Sequence, residues 1–347
     1  MMRNRKVPTR LASLCVREAA LIPWAAFLIL GSSVSADAKA TYTTFDPPGS
    51  LYTLPLSINI SGAITGYYQD NHQVPHCFVR NIDGTITEFD PSGSTGCEAI
   101  SINDEGSVAG QYVDSLGAAH SFVRAADGTI TSFDPPNSTN SWAEGINAKG
   151  WITGTYYDTN HTAPGFIRSP HGKITTFDIP NNNDAHPLSI NRAGATAGYY
   201  EDGSYVFHGF VRAGDGTITT FDPSGSIYTK PLSINDKGAI TGWFDDKNSG
   251  PHGFLRNSDG TINAFDPSGS FYTAPASINA KGAITGYYFD NTLGAPRSFI
   301  RTPDGRIKKF DEPLESTGTY AQGINAKGAI TGLYGDDVSN HGFLRIP

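Results

Sequence analysis

The strongest constraint on this chain is that it repeats itself. The dipeptide Phe-Asp recurs at Phe45, Phe89, Phe133, Phe177, Phe221, Phe265 and Phe310, at a spacing of 44 residues that becomes 45 only in the last step. Ile-Asn recurs in step with it, at Asn59, Asn103, Asn147, Asn191, Asn235, Asn279 and Asn325. A Phe-aliphatic-Arg triplet does the same and ends on Arg80, Arg124, Arg168, Arg212, Arg256, Arg301 and Arg345. Three independent anchors, each present seven times, exclude coincidence. A period of about 40–45 residues marks a protein built by stacking one supersecondary unit.

Each unit reads as four short strands. In the fifth copy they fall at Leu232–Asn235, Ala239–Phe244, His252–Arg256 and Thr261–Phe265. Asn235-x-x-Gly238 turns the first pair, because Asn closes a turn through its side chain and Gly accepts positive φ. Asp259-Gly260 turns the last pair as a tight hairpin. In the second strand Ile240 and Phe244 share one face and Trp243 takes the other, so both faces are to be buried. Composition agrees: 39 Gly and 22 Pro disfavour helices, while 11% aromatic and only 17% charged residues disfavour disorder.

Four strands per unit predict an all-β fold, a seven-bladed β-propeller. A solenoid would also bury both faces and is the structural alternative. The blades run over about 54–90, 98–134, 142–178, 186–222, 230–266, 274–311, and 320–347 plus 41–46, in a single domain over 41–347. The hairpin turn between strands three and four occurs six times, at Asp83, Asp127, His171, Asp215, Asp259 and Asp304, each followed by Gly. The seventh blade therefore lacks its fourth strand, and Thr41–Asp46 is the segment left to supply it. The N-terminal strand is thus expected to join the last blade and close the ring, leaving no free sheet edge.

The first 36 residues differ from the rest. Arg3, Arg5, Lys6, Arg10 and Arg17 precede an apolar run from Leu21 to Leu30. Small residues follow, with Val34-Ser35-Ala36 and Ala38-Lys39-Ala40 as candidate cleavage sites. This reads as a secretory signal peptide over 1–36, with an apolar run too short for a comfortable membrane span. Cys15 precedes the run and does not look like a lipid acceptor. The segment holds five of the 25 basic and one of the 33 acidic residues, so its removal takes the net charge from −8 to −12. A secreted or periplasmic acidic protein repels phosphate backbones, which argues against nucleic acid as a partner. No later segment is apolar enough to enter a membrane, and the domain reads as a monomer. An oxidising compartment permits a disulfide between Cys77 and Cys97.

The unit I-N-x-x-G-x-[IV]-x-G…H-x-F-[VIL] resembles the bacterial extracellular repeats of the HAF family, named for a His-Ala-Phe signature. The signature stands here as His76-Cys77-Phe78, His120-Ser121-Phe122, His208-Gly209-Phe210, His252-Gly253-Phe254 and His341-Gly342-Phe343. Two copies depart from it, Pro164-Gly165-Phe166 and Arg297-Ser298-Phe299, and the middle residue is never Ala. The resemblance covers nearly all of 41–347. It implies a secreted bacterial repeat protein and no particular activity.

Repeated polar residues invite chemistry, but their repetition favours structure. Two rings of Asp stand out: Asp46, Asp90, Asp134, Asp178, Asp222, Asp266 and Asp311, and Asp70, Asp114, Asp158, Asp202, Asp246, Asp290 and Asp336. Short carboxylates accept backbone N–H bonds in turns. No calcium-loop signature is present, the five His lie one blade apart, and metal ligands must converge, so neither a metal nor a cofactor is expected. His–Asp contacts within each blade, and hydrogen bonds from the seven Arg, are expected instead.

The informative positions are those that differ between otherwise similar copies. One series reads Leu54, Glu98, Trp142, His186, Lys230, Ala274, Tyr320; two residues on, another reads Leu56, Ile100, Glu144, Leu188, Leu232, Ala276, Gln322. These positions are expected in loops around the mouth of a central channel. Glu98, Trp142, Glu144, His186, Lys230, Tyr320 and Gln322 would make an asymmetric mouth on a symmetric body, able to hold a sugar or a small polar ligand. Neutral drift of exposed positions is the competing explanation. Two functions follow. One is a non-catalytic scaffold binding extracellular polysaccharide or protein, since repeated surfaces suit repeated ligands. The other is a carbohydrate-active or ester-cleaving enzyme, with Glu98 and Glu144 as acid and base assisted by His186 or Tyr320. The first is preferred.

Overall fold

The computed structural model of the protein describes residues 40–347 apart from 181, 183, 248, 249, 293 and 312–316. The leader sequence and its cleavage sites lie outside the described residues, apart from Ala40. Strand β1 is Thr41–Phe45. The first repeat then contributes β2 (Tyr52–Ile58), β3 (Ile64–Gln69), β4 (Pro75–Arg80) and β5 (Ile86–Phe89). The second gives β6 (Ser94–Ile102), β7 (Val108–Asp114), β8 (Ala119–Arg124) and β9 (Ile130–Phe133). The third gives β10 (Ser138–Ile146), β11 (Ile152–Asp158), β12 (Gly165–Arg168) and β13 (Ile174–Phe177). The fourth gives β14 (His186–Ile190), β15 (Thr196–Glu201), β16 (Phe207–Arg212) and β17 (Ile218–Phe221). The fifth gives β18 (Ser226–Ile234), β19 (Ile240–Asp246), β20 (Gly250–Arg256) and β21 (Ile262–Phe265). The sixth gives β22 (Ser270–Ile278), β23 (Ile284–Asp290), β24 (Pro296–Arg301) and β25 (Ile307–Phe310). The last gives β26 (Gly318–Ile324), β27 (Ile330–Gly335) and β28 (Asn340–Ile346).

Repeats two to six are antiparallel four-stranded sheets in simple sequence order. The first repeat and β26–β28 join into one larger sheet through a single parallel bridge, Tyr52 to Asn340. Strand β1 pairs antiparallel with β28, Thr41 opposite Ile346 and Phe45 opposite Gly342. The N-terminal strand thus fills the outer place beside the last hairpin, as the turn count requires. The first strand of each sheet runs longer than expected: β18 begins at Ser226, where Leu232 was expected to begin it.

The anchor Asn explains both the turn and the stacking of sheets. In the fifth repeat, Asn235 Oδ1 accepts the N–H groups of Lys237 and Ala239, each at 3.0 Å, and closes the turn. Its Nδ2 donates to the Asn279 carbonyl of the next sheet at 3.1 Å. The same bond runs from Asn59 to Asn103, Asn103 to Asn147, Asn147 to Asn191, Asn191 to Asn235, Asn279 to Asn325, and Asn325 to Asn59. These side chains are about 5% exposed, so an unmade bond would leave a buried polar group without water. The turn also requires Gly238, whose φ of 79° suits a residue without Cβ.

A second link is aromatic. The Phe of each outer strand meets the Phe of the next sheet's third strand edge to face. Examples are Phe89–Phe122 at 6.0 Å and Phe310–Phe343 at 6.5 Å, with Phe45–Phe78 at 6.1 Å across β1 and the first sheet. Each triplet Arg lies over the Phe contributed by the preceding sheet, as Arg80 over Phe45 at 4.9 Å and Arg256 over Phe221 at 4.8 Å. Arg80, Arg124, Arg168, Arg212 and Arg256 do donate Nη1 to the next residue's carbonyl, but the expectation of plain hydrogen-bond donors missed the stacking.

Five repeats carry a third device. His76 Nδ1 faces Asp90 at 2.7 Å while its Nε2 faces Asp70 at 3.7 Å, and Tyr68 packs against the ring. His120, His208, His252 and His341 repeat this clamp between the two Asp rings. The loop Asp also accepts backbone N–H bonds, as Asp70 does from His72 and Val74. Tyr68 and its counterparts Tyr156, Phe244, Tyr288 and Tyr334 are buried. In the sixth repeat Arg297 takes the His place and pairs with Asp311 at 2.9 Å. In the third, Pro164 offers no cation, and burial with the neighbouring Asp158 pushes Asp178 up. Cys77 of β4 and Cys97 of β6 form a disulfide between the first two sheets, Cα atoms 5.3 Å apart. The equivalent positions one repeat on are Ser121 and Ser141, whose hydroxyls bond at 2.8 Å.

Two outcomes follow. Asn147→Ala removes both the turn acceptor and the inter-sheet donor, and is expected to cost about 2–4 kcal/mol in urea unfolding. Asn147→Asp keeps the acceptor and should still cost about 1–3 kcal/mol. An Asp variant as stable as the parent would refute the inter-sheet role. For the clamps, burial lowers His76, His120, His208 and His341, but their flanking carboxylates outweigh it and the net shift is upward. This stability is complete below the ordinary imidazole value of about 6.5 and lost as pH rises through the raised one. Tm should fall between about pH 6 and 8, and replacing the four His by Gln should flatten that slope.

Candidate functional site

The variable residues sit in strands, where they were expected in loops. Glu98 lies in β6, Trp142 and Glu144 in β10, His186 in β14, Lys230 in β18, and Tyr320 and Gln322 in β26. The reason is the longer first strand, which starts directly after the Pro turn; Ser226 N–H bonds the Pro223 carbonyl. All seven are half-buried. Each first strand contacts the first strand of the next sheet, and β26 contacts β2, so the positions form a row.

A bulge shapes this row. Pairing shifts register between Pro55 and Ser57, Ala99 and Ser101, Ala143 and Gly145, and likewise in the other repeats. The extra residue is the second variable position, so Glu144 and Gln322 occupy bulges. A bulge re-aims side chains and frees one residue from the ladder. It needs a glycine opposite: a Cβ on Gly110 would lie 2.2 Å from the Glu98 carbonyl, and one on Gly154 1.9 Å from that of Trp142.

The residue after this glycine faces the first variable position across the pair. Tyr67 faces Leu54, Gln111 faces Glu98, Thr155 faces Trp142, Tyr199 faces His186, Trp243 faces Lys230, Tyr287 faces Ala274 and Leu333 faces Tyr320. These partners were missed as site residues, yet they too vary between copies, and the same comparison finds them.

Two groups emerge. In the first, Gln111 Nε2 donates to Glu98 Oε2 at 2.5 Å. Burial, opposed by that bond and reinforced by the Glu144 charge, pushes the Glu98 carboxyl up to about 7. Burial and the nearby Tyr52 and Glu98 raise Tyr67, and burial with Tyr320 raises Tyr52. Burial and Tyr272 push Tyr320 up to about 12. Tyr320, Tyr52, Tyr67, Glu98 and Glu144 thus lie within electrostatic reach of one another in sequence along the row. Trp142 stands beside it, edge to face with Tyr157 at 5.0 Å, and the Tyr320 ring lies 5.0 Å from Tyr287.

In the second group, Lys230 Nζ lies 4.8 Å from the Tyr199 ring centre, 5.4 Å from Phe207 and 5.9 Å from Trp243. His186 stacks on Tyr199 at 4.7 Å and faces Asp184 at 3.2 Å. Gln322 joins neither group by a described bond. Among the described residues, ligand atoms of Cys77, Asp90 and Cys97 converge, but both sulfurs are spent in the disulfide. No helix among them is long and apolar enough to cross a membrane.

No protein-family model matches the chain, and no curated protein matches it. Solved structures do. Virginiamycin B lyase from Staphylococcus aureus is 17% identical, with a TM-score of 0.58 over 89% of this chain and 100% of its own. The β-propeller domain of the Trilobed protease from Pyrococcus furiosus, described as having an open velcro topology, is 11% identical, with a TM-score of 0.60 over 85% and 95%. TolB from Acinetobacter baumannii is 15% identical, with a TM-score of 0.51 over 73% and 64%. At these identities the likeness is one of fold, and the fold is of β-propeller type.

The charge arrangement around Glu98 gives opposite signs for two substitutions. Removing the Glu144 charge in Glu144→Gln should lower the Glu98 titration midpoint from about 7. Removing the donor in Gln111→Ala should raise it. Carboxyl carbon NMR reads both, and equal midpoints in all three proteins would refute the coupling.

Proposed function

We propose that this chain is a secreted bacterial repeat protein of the HAF type, a closed seven-bladed propeller acting as a non-catalytic scaffold for extracellular polysaccharide. Ring closure is supported by the side-chain bonds that pass from Asn59 through each anchor Asn and return from Asn325 to Asn59. The pairing of β1 with β28 supports the same reading. Secretion is supported by the basic, apolar and small-residue order of the leader, and by a disulfide suited to an oxidising compartment.

The observation that carries the binding reading is the asymmetric row itself. On a body whose buried anchors repeat, this row collects Trp142, Tyr67, Tyr320, Trp243 and the charges of Glu98, Glu144 and Lys230. Aromatic rings offer flat apolar faces to the C–H faces of sugar rings, and polar groups around them fix orientation. Binding on one protein, repeated along a polymer, gains by avidity.

One observation favours an enzyme as the second reading. Glu98 is held near neutrality beside a second carboxylate, the condition of a general acid. The lyase among the fold neighbours adds little to it, because fold does not carry activity.

A glycan array with residues 37–347 separates the two. Retention of an extracellular polysaccharide without product supports the scaffold. Product release that is lost in Glu144→Gln supports the enzyme, and unchanged turnover in the Glu98→Gln/Glu144→Gln double variant excludes these residues from it. Silence on every glycan rejects the polysaccharide scaffold and the carbohydrate-active enzyme and points to a protein partner.

A further inference from the structure

We infer that His186 and Lys230, in the fourth and fifth sheets, form a subsite for one singly charged acidic group on a sugar, a uronate carboxylate or a sulfate ester. This rests on the reading of the row as a glycan site and adds the class of sugar.

Lys230 meets rings where a cation also wants oxygens. Its Nζ lies 4.8 Å from the Tyr199 ring centre, 5.4 Å from Phe207 and 5.9 Å from Trp243. Rings attract the charge but offer no lone pairs to the three N–H donors of an ammonium. Lys309 shows the contrast. It lies over Tyr288 at 5.0 Å, yet it also donates to the Ser268 carbonyl at 2.5 Å and faces Asp290 at 3.9 Å. Among the described residues, none offers Lys230 Nζ an oxygen at such distances. An apolar side chain would fill the gap between these rings without taking a charge out of water, so packing alone does not account for a lysine.

The group is open to a ligand and departs from the repeat as a unit. Lys230, His186, Tyr199, Phe207 and Trp243 are all half-buried, and each keeps part of its surface in contact with solvent. Lys230 is the one lysine of its series, and Phe207 stands where the other repeats carry Pro, Ala or Asn. The two meet because β16 packs against β18. None of the framework contacts requires either of them.

His186 supplies the second contact. Its ring stacks on Tyr199, the same ring that lies under Lys230, and its Nε2 faces Asp184 at 3.2 Å. A carboxylate accepts, so Nε2 carries the proton, and in the neutral ring Nδ1 is left as an acceptor. That acceptor suits a sugar hydroxyl, while the ammonium takes the acidic group through charge-assisted bonds. The surrounding rings offer apolar surface to the C–H faces of the same sugar unit.

The charge count limits the ligand. One ammonium balances one negative charge. A phosphate monoester, with about −1.5 to −2 charges near neutrality, would need a second cation, and no other lysine or arginine is described against these rings. A polyanion is opposed by the net charge of −12 left without the leader, and by Glu98 and Glu144 further along the row. The ligand is therefore an isolated acidic unit on an otherwise neutral chain.

Calorimetry on residues 37–347 with cellobiose, cellobiouronic acid, cellobiose carrying one sulfate ester, and β-linked diglucuronate tests this. At least one of the two singly acidic disaccharides should bind at least about tenfold more tightly than cellobiose, with a preference that shrinks in added salt. The tighter of the two names the acidic group. Diglucuronate should gain nothing over cellobiouronic acid, and a further gain of the same size overturns the single-charge assignment. Lys230→Met should abolish the preference. Lys309→Met removes the same charge from a ring-stacked lysine outside the row and should retain it. Unchanged circular dichroism and Tm show that both variants fold. Equal binding of cellobiose and the two acids, or a preference that survives Lys230→Met, overturns the subsite while leaving the glycan reading intact. Binding of none of the four also overturns the subsite, and a silent glycan array would overturn the reading of the row with it.

Discussion

Everything else in this molecule depends on one amide per repeat. The anchor Asn uses its oxygen inward, closing the turn between the first two strands, and its nitrogen outward, on the neighbouring Asn carbonyl. Local and long-range order are thus held by the same side chain. Aspartate would close the turn but cannot donate, serine would close it without spanning to the next sheet, and glycine would supply neither bond. The Phe pairs and the stacked Arg reinforce the same junctions with less directional contacts, each worth about 0.5–1.5 kcal/mol beyond area burial. Those junctions recur from sheet to sheet, so stability is distributed among the repeats.

That redundancy leaves the row of first strands free to vary. The bulge lifts one residue out of the ladder, and the glycine opposite makes room for the backbone that results. Neither the turn, the Phe pair nor the His clamp uses the variable side chains of that row. Framework and candidate site are therefore carried by different positions of one unit, and substitutions in the row need not be answered elsewhere.

Much of this was legible in the residues. The period, the four strands per unit and the place of β1 follow from anchors that recur and from a turn that is missing once. Cys77 and Cys97 were marked by compartment, but their pairing required the contact of β4 with β6. The Arg stacking was not legible, because a guanidinium that donates and one that covers a ring share the same sequence pattern. The site was half legible. Glu98 and Glu144 differ from their counterparts and could be picked out, whereas Gln111 faces Glu98 only through the pairing of β6 with β7.

The seam between β1 and β28 gives the chain a direction in time. Apart from the single Tyr52–Asn340 bridge, the other named strands pair with near neighbours in sequence, while Thr41 must wait for Ile346. Closing so long a loop costs entropy that only assembled sheets can offset, so the seam is the last contact to form and the first to open. The strand made earliest is thus the one whose pairing is completed last.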